Sequence, residues 1–459
     1  MSMGKRLSET QSPLFILAAE LPESSGHPYY QAVNALFLAH GFDLWVQEAC
    51  RVFYAETMGR PGVAPGVYFR CLLIGYLEGI DSERGIAWRA ADSLSLRGFL
   101  GIPLGEKTPD HSTLSRTRRL MDLETHTRVF TWMLKLLAVQ GVIDGKTIGI
   151  DATTLEANAA MRSIVRKDSG ASYEQYLTKL AQESGIETPT REQLAKLDRK
   201  RKNKASNDDW KNPHDPDAKI AKMKDGTTHL AHKAEHAVDM GSGVVVAVTL
   251  QPADAGDTST LAPTILEATT QLRHLADDEH TAGQISEAWM REVVTDKGYH
   301  SNATMTDLSE MGIRSYVSEP DRGRRGWEGK PEAREAVYAN RRRIRGERGK
   351  DLLRDRGEFV ERSFAHCYET GALRRTHLRG HENILKRLLL HVAGFNLSVL
   401  MRRLLPAGKP RGLQGLRGAV LSLAARLCAC VVAALRPITT QRTGPRFKTH
   451  AETWNTRAA

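Results

Sequence analysis

The chain has 459 residues and a hydrophobic share of 41%, too long for one ordinary core, sufficient for two or three domains and well outside the disordered range. Lys and Arg number 65 against 54 Asp and Glu, and this +11 excess favours polyanionic partners, because each phosphate contact releases condensed counterions. The five cysteines (Cys50, Cys71, Cys367, Cys428 and Cys430) are odd in number and form no C-x-x-C pair, which argues against a disulfide framework or zinc site and fits a reducing cytosol.

Met1 to Pro13 is polar and lacks the apolar run of a signal peptide, so residues 1–28 read as an arm. Residues 29–142 read as all-helical. Apolar residues recur at helical spacing through Ala35, Leu36, Leu38, Leu44 and Val46, and again through Val67, Phe69, Leu72, Leu73, Tyr76 and Leu77. Asp81-Ser82 and Ser95 are expected N-caps, and Gly79, Gly98 and Gly101 expected breaks. Pro109-Asp110-His111-Ser112 opens a further helix carrying Arg116, Arg118 and Arg119. Short helices with basic faces suit either a helix-turn-helix unit or a plain bundle with solvated arginines.

The pattern changes at Lys146. Thr147 to Thr154 is rich in β-branched residues and reads as a strand. A lysine-rich insertion follows, near 162–216, with one or two exposed helices and the run Arg199-Lys200-Arg201-Lys202. Ala231–Asp239 and Val244–Val248, joined by Met240-Gly241-Ser242-Gly243, have the signature of a hairpin. His229, His232 and His236 fall in its first strand, where their spacings spread them over both faces and make a zinc site a poor reading. A helix at about 258–275, a strand Glu292–Thr295, a helix Ser301–Met311 and a strand Ile313–Val317 follow. Residues 322–356 read as a second basic, loop-rich insertion containing Arg341-Arg342-Arg343, and a long helix is expected from Gly357 through Tyr368. Further helix follows Arg379. The apolar stretch Ala419–Leu435 carries Arg426 near its middle, falls short of a membrane span and reads as a buried helix, with Cys428 and Cys430 as small packing residues. The domain reading is therefore 29–142 helical, 143–405 α/β and 406–459 a helical extension with a polar tail. The order of elements in the second unit is that of a ribonuclease-H-like fold, a mixed five-stranded sheet flanked by helices.

Three acids take distinctive places in this order. Asp151 interrupts an apolar, β-branched strand. Asp296 ends a later strand, where open α/β sheets place ligand-binding groups. Glu361 lies on the helix after the sheet, beside Val360 and Phe364. Carboxylates gathered from distant points of a chain can hold two hard cations for phosphodiester chemistry. An Asp at a strand end is also a common cap and a Glu on a helix a common solvated side chain, so spacing alone leaves both readings open.

The words around these acids resemble a known family. Ile148-Gly149-Ile150-Asp151-Ala152-Thr153, Val294-Thr295-Asp296-Lys297-Gly298-Tyr299 and Val360-Glu361-Arg362-Ser363-Phe364 look like the three acidic boxes of bacterial insertion-sequence transposases, the DDE-type enzymes of the IS-four/IS-five superfamily. Asp110-His111-Ser112-Thr113-Leu114-Ser115-Arg116 is similar to the signature of that family's helical N-terminal domain, and Asp215-Pro216-Asp217-Ala218 and Leu378-Arg379-Gly380 also recur there. The likeness runs from about Tyr29 to Leu416. It implies cut-and-paste transposition by Asp151, Asp296 and Glu361 as catalytic residues and metal ligands, with two Mg2+ ions (Mn2+ as substitute). The implied partners are double-stranded DNA at terminal inverted repeats and target sites and a second copy of the chain, with no membrane, in the cytoplasm on the nucleoid. Related members often carry Lys or Arg two turns after the Glu, where this chain has Tyr368; Arg374, Arg375 and Arg379 are the expected replacements for that phosphate contact. Arg116 and Lys297 are further expected DNA contacts. Tyr299 would either stack on a base or pack over the Gly298 turn. The rivals are a metal nuclease that cuts without joining and a transposase-derived regulator without catalysis.

Overall fold

The computed structural model describes residues 24–413, apart from 25, 56–58, 60–61, 202–205, 224–225, 322 and 324. The arm through residue 23, Lys202, the stretch Ala419–Leu435 with Cys428 and Cys430, and the polar tail lie outside the described residues.

Seven helices come first: α1 (Pro28–Ala39), α2 (Phe42–Cys50), α3 (Pro65–Glu78), α4 (Glu83–Ala91), α5 (Leu94–Leu100), α6 (His111–Leu120) and α7 (Leu123–Val139). Side-chain caps set the starts of α4, α6 and α7. Ser82, Asp110 and Asp122 accept from the backbone N–H groups of Gly85, Thr113 and Thr125, satisfying donors that the first turn leaves open. Ser93 rather than Ser95 caps α5; Ser95 Oγ instead accepts from His27 N at 2.8 Å, tying the chain entry to this helix. Gly79 and Gly101 end helices in the left-handed region, whereas Gly98 lies within α5.

Then come β1 (Thr147–Glu156), β2 (Val165–Arg166), α8 (Tyr173–Glu183), α9 (Arg191–Lys200), β3 (Trp210–Lys211), β4 (Lys219–Lys222), β5 (Thr228–Asp239) and β6 (Val245–Pro252). They are followed by α10 (Asp257–Ala276), β7 (Glu292–Thr295), α11 (Asn302–Glu310), β8 (Arg314–Val317), α12 (Pro331–Arg345), α13 (Glu347–Phe364) and α14 (His381–Leu404). In the main sheet β6, β5 and β1 are antiparallel neighbours, and β7 and β8 continue in parallel from β1. This is the ribonuclease-H-like order expected from the sequence. The difference is a sixth strand: Ala231 on β5 pairs with Glu156 on one edge and Lys219 on the other, so short β4 extends the edge that β6 occupies.

Both outer edges are closed by an asparagine. The Asn396 amide on α14 bonds Val245 N and O on β6 at 2.9 and 2.7 Å, and the Asn340 amide on α12 bonds Val317 N and O on β8 at 3.0 and 2.8 Å. Each amide imitates a pairing strand and leaves no free ladder at that point.

Residues 322–356 are not loop-rich as expected. Pro331 opens α12, a position that suits its missing N–H, and Ala336, Val337 and Asn340 form the buried face. The arginines that made the stretch look like a loop are good helix formers, and two are spent internally. Arg341 is bidentate to Glu319 at 2.6 and 2.7 Å, and Arg343 reaches the Ser315 carbonyl and hydroxyl at 2.8 Å each. The long helix accordingly begins at Glu347, ten residues before Gly357. After Phe364 it widens into a π turn over Ala365–Glu369.

Helix α14 joins the helical region to the sheet. It packs on α3 and α7 as well as on β6, and one hydrophobic core runs from Tyr29 through the sheet to Leu405. Its length and apolarity would suffice to cross a membrane, but 94% of its most apolar window is buried inside the protein, as befits a core helix. Buried Arg387 donates from this helix to the Leu72 carbonyl within α3 and to the Ile80 carbonyl just beyond it, which satisfies the guanidinium inside the core.

Candidate active site

The register of β1 and β7 brings two of the three acids together. Thr147, Ile148 and Gly149 pair in parallel with Glu292, Val293 and Val294, so the same register carried two residues on sets Asp151 beside Asp296. Adjacent strands lie about 4.8 Å apart, so the carboxylate in mid-β1 neighbours the one just past the end of β7, and Asp151 feels the Asp296 charge.

The sheet face beside Asp151 is built to receive α13. A Cβ on Gly149 would lie 2.6 Å from Met240 Sδ and 3.1 Å from Val360 Cγ2, so only glycine admits the helix this closely. Asp151 is two residues on and faces the same side. Arg356 of α13 donates to Asp151 Oδ2 at 2.6 Å, while Ala152 N donates to Oδ1 at 2.8 Å. Burial raises the Asp151 pKa, the Arg356 charge opposes that, and Asp296 adds to the rise. Opposite Asp151 in the antiparallel register stands His236. Its imidazole is fully buried beneath α13 and the π turn, bonded to Ser363 Oγ at 2.8 Å and Tyr368 OH at 2.7 Å. Ser363 Oγ donates to the Val360 carbonyl, so Nδ1–H donates to Ser363 and Nε2 accepts from Tyr368. This clasp fixes the helix that carries Glu361.

Just past the end of β7, Asp296 caps a 3-10 turn over Lys297–Tyr299 and accepts from Gly298 N at 2.8 Å. Gly298 is required by crowding: a Cβ there would lie 2.3 Å from Asp257 Oδ2 and 3.1 Å from Asp296 Oδ1. Asp257, at the start of α10, accepts from Lys233 Nζ at 2.6 Å. Lys233 also meets Thr260 Oγ1 at 2.9 Å and Glu235 at 3.2 Å, and Glu235 accepts from Tyr299 OH at 3.1 Å. The buried network leaves each charge with a partner and pins the Asp296 turn to β5 and α10.

Several expected site residues take other places. Tyr299 is wholly buried on Glu235 and cannot stack on a base, so its packing role is the correct one. Arg374, about a third exposed, is held by Glu369, by Thr153 Oγ1 at 3.1 Å and by the Thr154 carbonyl at 3.2 Å. Tyr368, at the position where a cation was expected, is buried in the His236 clasp. Lys297, Arg116, Arg375 and Arg379 are exposed, Arg375 lying 3.6 Å from Glu156. His232 and His236 share a face, with His229 on the other, and His232 is bonded to buried Asp215 at 3.2 Å. Asp215 and Asp217 also accept from Gly380 N and His381 N, fastening the first insertion to the start of α14.

Glu361 is exposed on α13 and its carboxylate makes no hydrogen bond or ion pair among the described residues. Among those residues no three His, Cys, Asp or Glu side chains are grouped closely enough to hold a metal ion. The donor chemistry nevertheless fits a hard divalent cation: Asp151 and Asp296 offer carboxylate oxygens from neighbouring strands, and the adjacent imidazole, His236, is engaged by Ser363 and Tyr368. Arg356, Asp257, Lys233 and Glu235 were missed by sequence reasoning. Arg356 lies five residues before Glu361 on the same helix, a faint signal, whereas the others read as an ordinary helix start and strand.

A ribonuclease-H-like sheet with two acids aligned on the neighbouring strands β1 and β7, and a helix bearing a third laid over it, defines a nucleic-acid-processing enzyme class. Two family matches specify it further: a transposase domain (DUF772) over residues 25–120 and a transposase DDE domain over residues 207–397. The chain belongs to the insertion-sequence DDE transposases. Asp296 and Glu361 fall inside the second match, while Asp151 precedes it and owes its place to the strand register. No curated protein matches the chain.

Proposed function

We propose that this transposase binds the terminal inverted repeats of its own element, as a homodimer or larger assembly on paired ends, cuts the DNA and joins it to a target. The observation that carries the proposal is the alignment of Asp151 with Asp296 on β1 and β7, under the helix that bears Glu361. These three residues would hold two Mg2+ ions, with Mn2+ as substitute. Such ions, when bound, supply an activated oxygen nucleophile and stabilise the leaving oxygen. The chain's own part is positioning. Arg356 and Ala152 N orient the Asp151 carboxylate, Gly298 N orients Asp296, and the His236–Ser363–Tyr368 clasp sets the height of α13 over the sheet. Exposed Lys297, next to Asp296, would meet a backbone phosphate. Arg116, Arg375 and Arg379 are further contacts to the DNA. The work takes place where the DNA lies, on the nucleoid in the cytoplasm.

The test is Mg2+-dependent cleavage and strand transfer on DNA carrying the element's ends. Cleavage with joining of pre-cut ends, both abolished by a chelator, is the expected result. Cutting without joining would make the protein a nuclease, and binding without cutting a regulator.

A further inference from the structure

A cleft of about 670 Å³ opens between α4, α6 and the start of α14. Five arginines line it against two carboxylates, Asp81 and Glu83. Both carboxylates are engaged, Glu83 with Arg118 at 2.7 Å and Asp81 with His377 at 3.0 Å. Arg118 and Arg387 are buried and serve the fold. The other three, Arg84, Arg119 and Arg379, are exposed and meet no carboxylate among the described residues. Each makes one long bond, to His111 Nε2 at 3.5 Å, the Ser115 carbonyl at 3.3 Å and the Asn158 carbonyl at 3.3 Å, leaving most guanidinium donors open.

Three helix starts border the cleft. Those of α6 and α14 are met by the Asp110 and Asp217 carboxylates, whereas that of α4 is capped by the neutral Ser82 hydroxyl, which leaves its partial positive charge in place. The cleft also has a position relative to the carboxylates. Asn158, on its wall, follows Asp151 by seven residues, which in extended chain is at most about 23 Å. A DNA strand carries a phosphate about every 3.4 Å, so a duplex joining the two places spans roughly six or seven phosphates.

We propose that this cleft clamps the phosphate backbone of duplex DNA at a distance from the cutting site, with Arg84, Arg119 and Arg379 as its donors. The inference rests on the transposase reading and adds a second, sequence-independent contact region between the helical part and the start of α14. The open shape and separate guanidinium groups suit a continuous polyanion rather than a mononucleotide.

The experiment measures binding of the full chain to a short fluorescein-labelled duplex by anisotropy over a salt series, without divalent metal. The triple variant R84Q/R119Q/R379Q is compared with R51Q/R191Q/R273Q, which removes equal charge elsewhere. Because each phosphate contact contributes about 0.9 to the slope of log K against log salt, the cleft variant should lose about 2 to 3 in slope, and about tenfold or more in affinity. The control variant should change far less, and unchanged melting temperatures show that both remain folded. Equal losses in the two variants, or a wild-type slope in the cleft variant, would overturn the clamp while leaving cleavage by the wild type intact. Displacement of the duplex by inorganic phosphate or a mononucleotide at micromolar concentration would also overturn it. A wild type that binds no duplex would overturn both the clamp and the function on which it rests.

Discussion

His126 and His236 are held as neutral imidazoles by the same device. In each, Nδ1–H donates to an oxygen, the Asp122 carbonyl or Ser363 Oγ, and Nε2 accepts from a buried tyrosine hydroxyl, Tyr68 or Tyr368. Protonation would turn that acceptor into a donor facing another donor. Burial lowers His126 to about 4 and His236 to about 3, from an ordinary 6.5. The unfolded chain therefore takes up these protons first. Their contribution to stability is complete above pH 6.5 and is lost as the pH falls towards 4 and 3. At pH 5 each should cost about 2 kcal/mol relative to neutral pH. Urea denaturation at pH 7 and pH 5 checks this: H126Q, although weaker at pH 7, should lose less stability on acidification than the wild type. Equal losses would show that His126 titrates normally.

At the scale of elements, the π turn and the edge asparagines carry separable predictions. Y368F removes one buried hydrogen bond and should cost about 1 kcal/mol, while Y368K buries an unpaired ammonium and should cost several kcal/mol rather than create a phosphate contact. Thermal melts of the two variants would show it; a stable Y368K that binds DNA more tightly would refute the clasp. N340A or N396A strands a buried N–H and C=O of Val317 or Val245 and should cost about 2 kcal/mol or more, read from the denaturation midpoint. The strands were legible in the sequence because Ile148, Ile150, Val244, Val245, Val246 and Val248 are β-branched, and each run lies between turn residues. The helix α12 was not, because its signal is a narrow apolar stripe of Ala336 and Val337 among arginines whose partners, Glu319 and Ser315, lie far off in the sequence. Strand β4 was missed because four residues with one large apolar side chain, Ile220, carry no period.

Over the whole molecule, the helical N-terminal part and the sheet share one core through α14. Local periodicity marked the change of pattern at Lys146 but could not show that Leu388, Phe395 and Met401, more than 240 residues further on, complete the packing of α3 and α7. A fragment ending at residue 142 should therefore show no cooperative thermal transition, while the full chain does; calorimetry of the two decides. The site was legible to the same degree. Asp151, Asp296 and Glu361 stood out through the words around them, and the strand register aligns the first two. The groups that hold them, Arg356, His236, Lys233 and Glu235, depend on contacts across the fold that no local pattern records. The most direct test of the account compares D151N, D296N and E361Q with the wild type for Mg2+-dependent cleavage and strand transfer, with DNA binding measured alongside. Loss of both reactions in every variant, with binding retained, is the predicted result. A variant that keeps full activity would contradict the assignment of that acid to the chemistry.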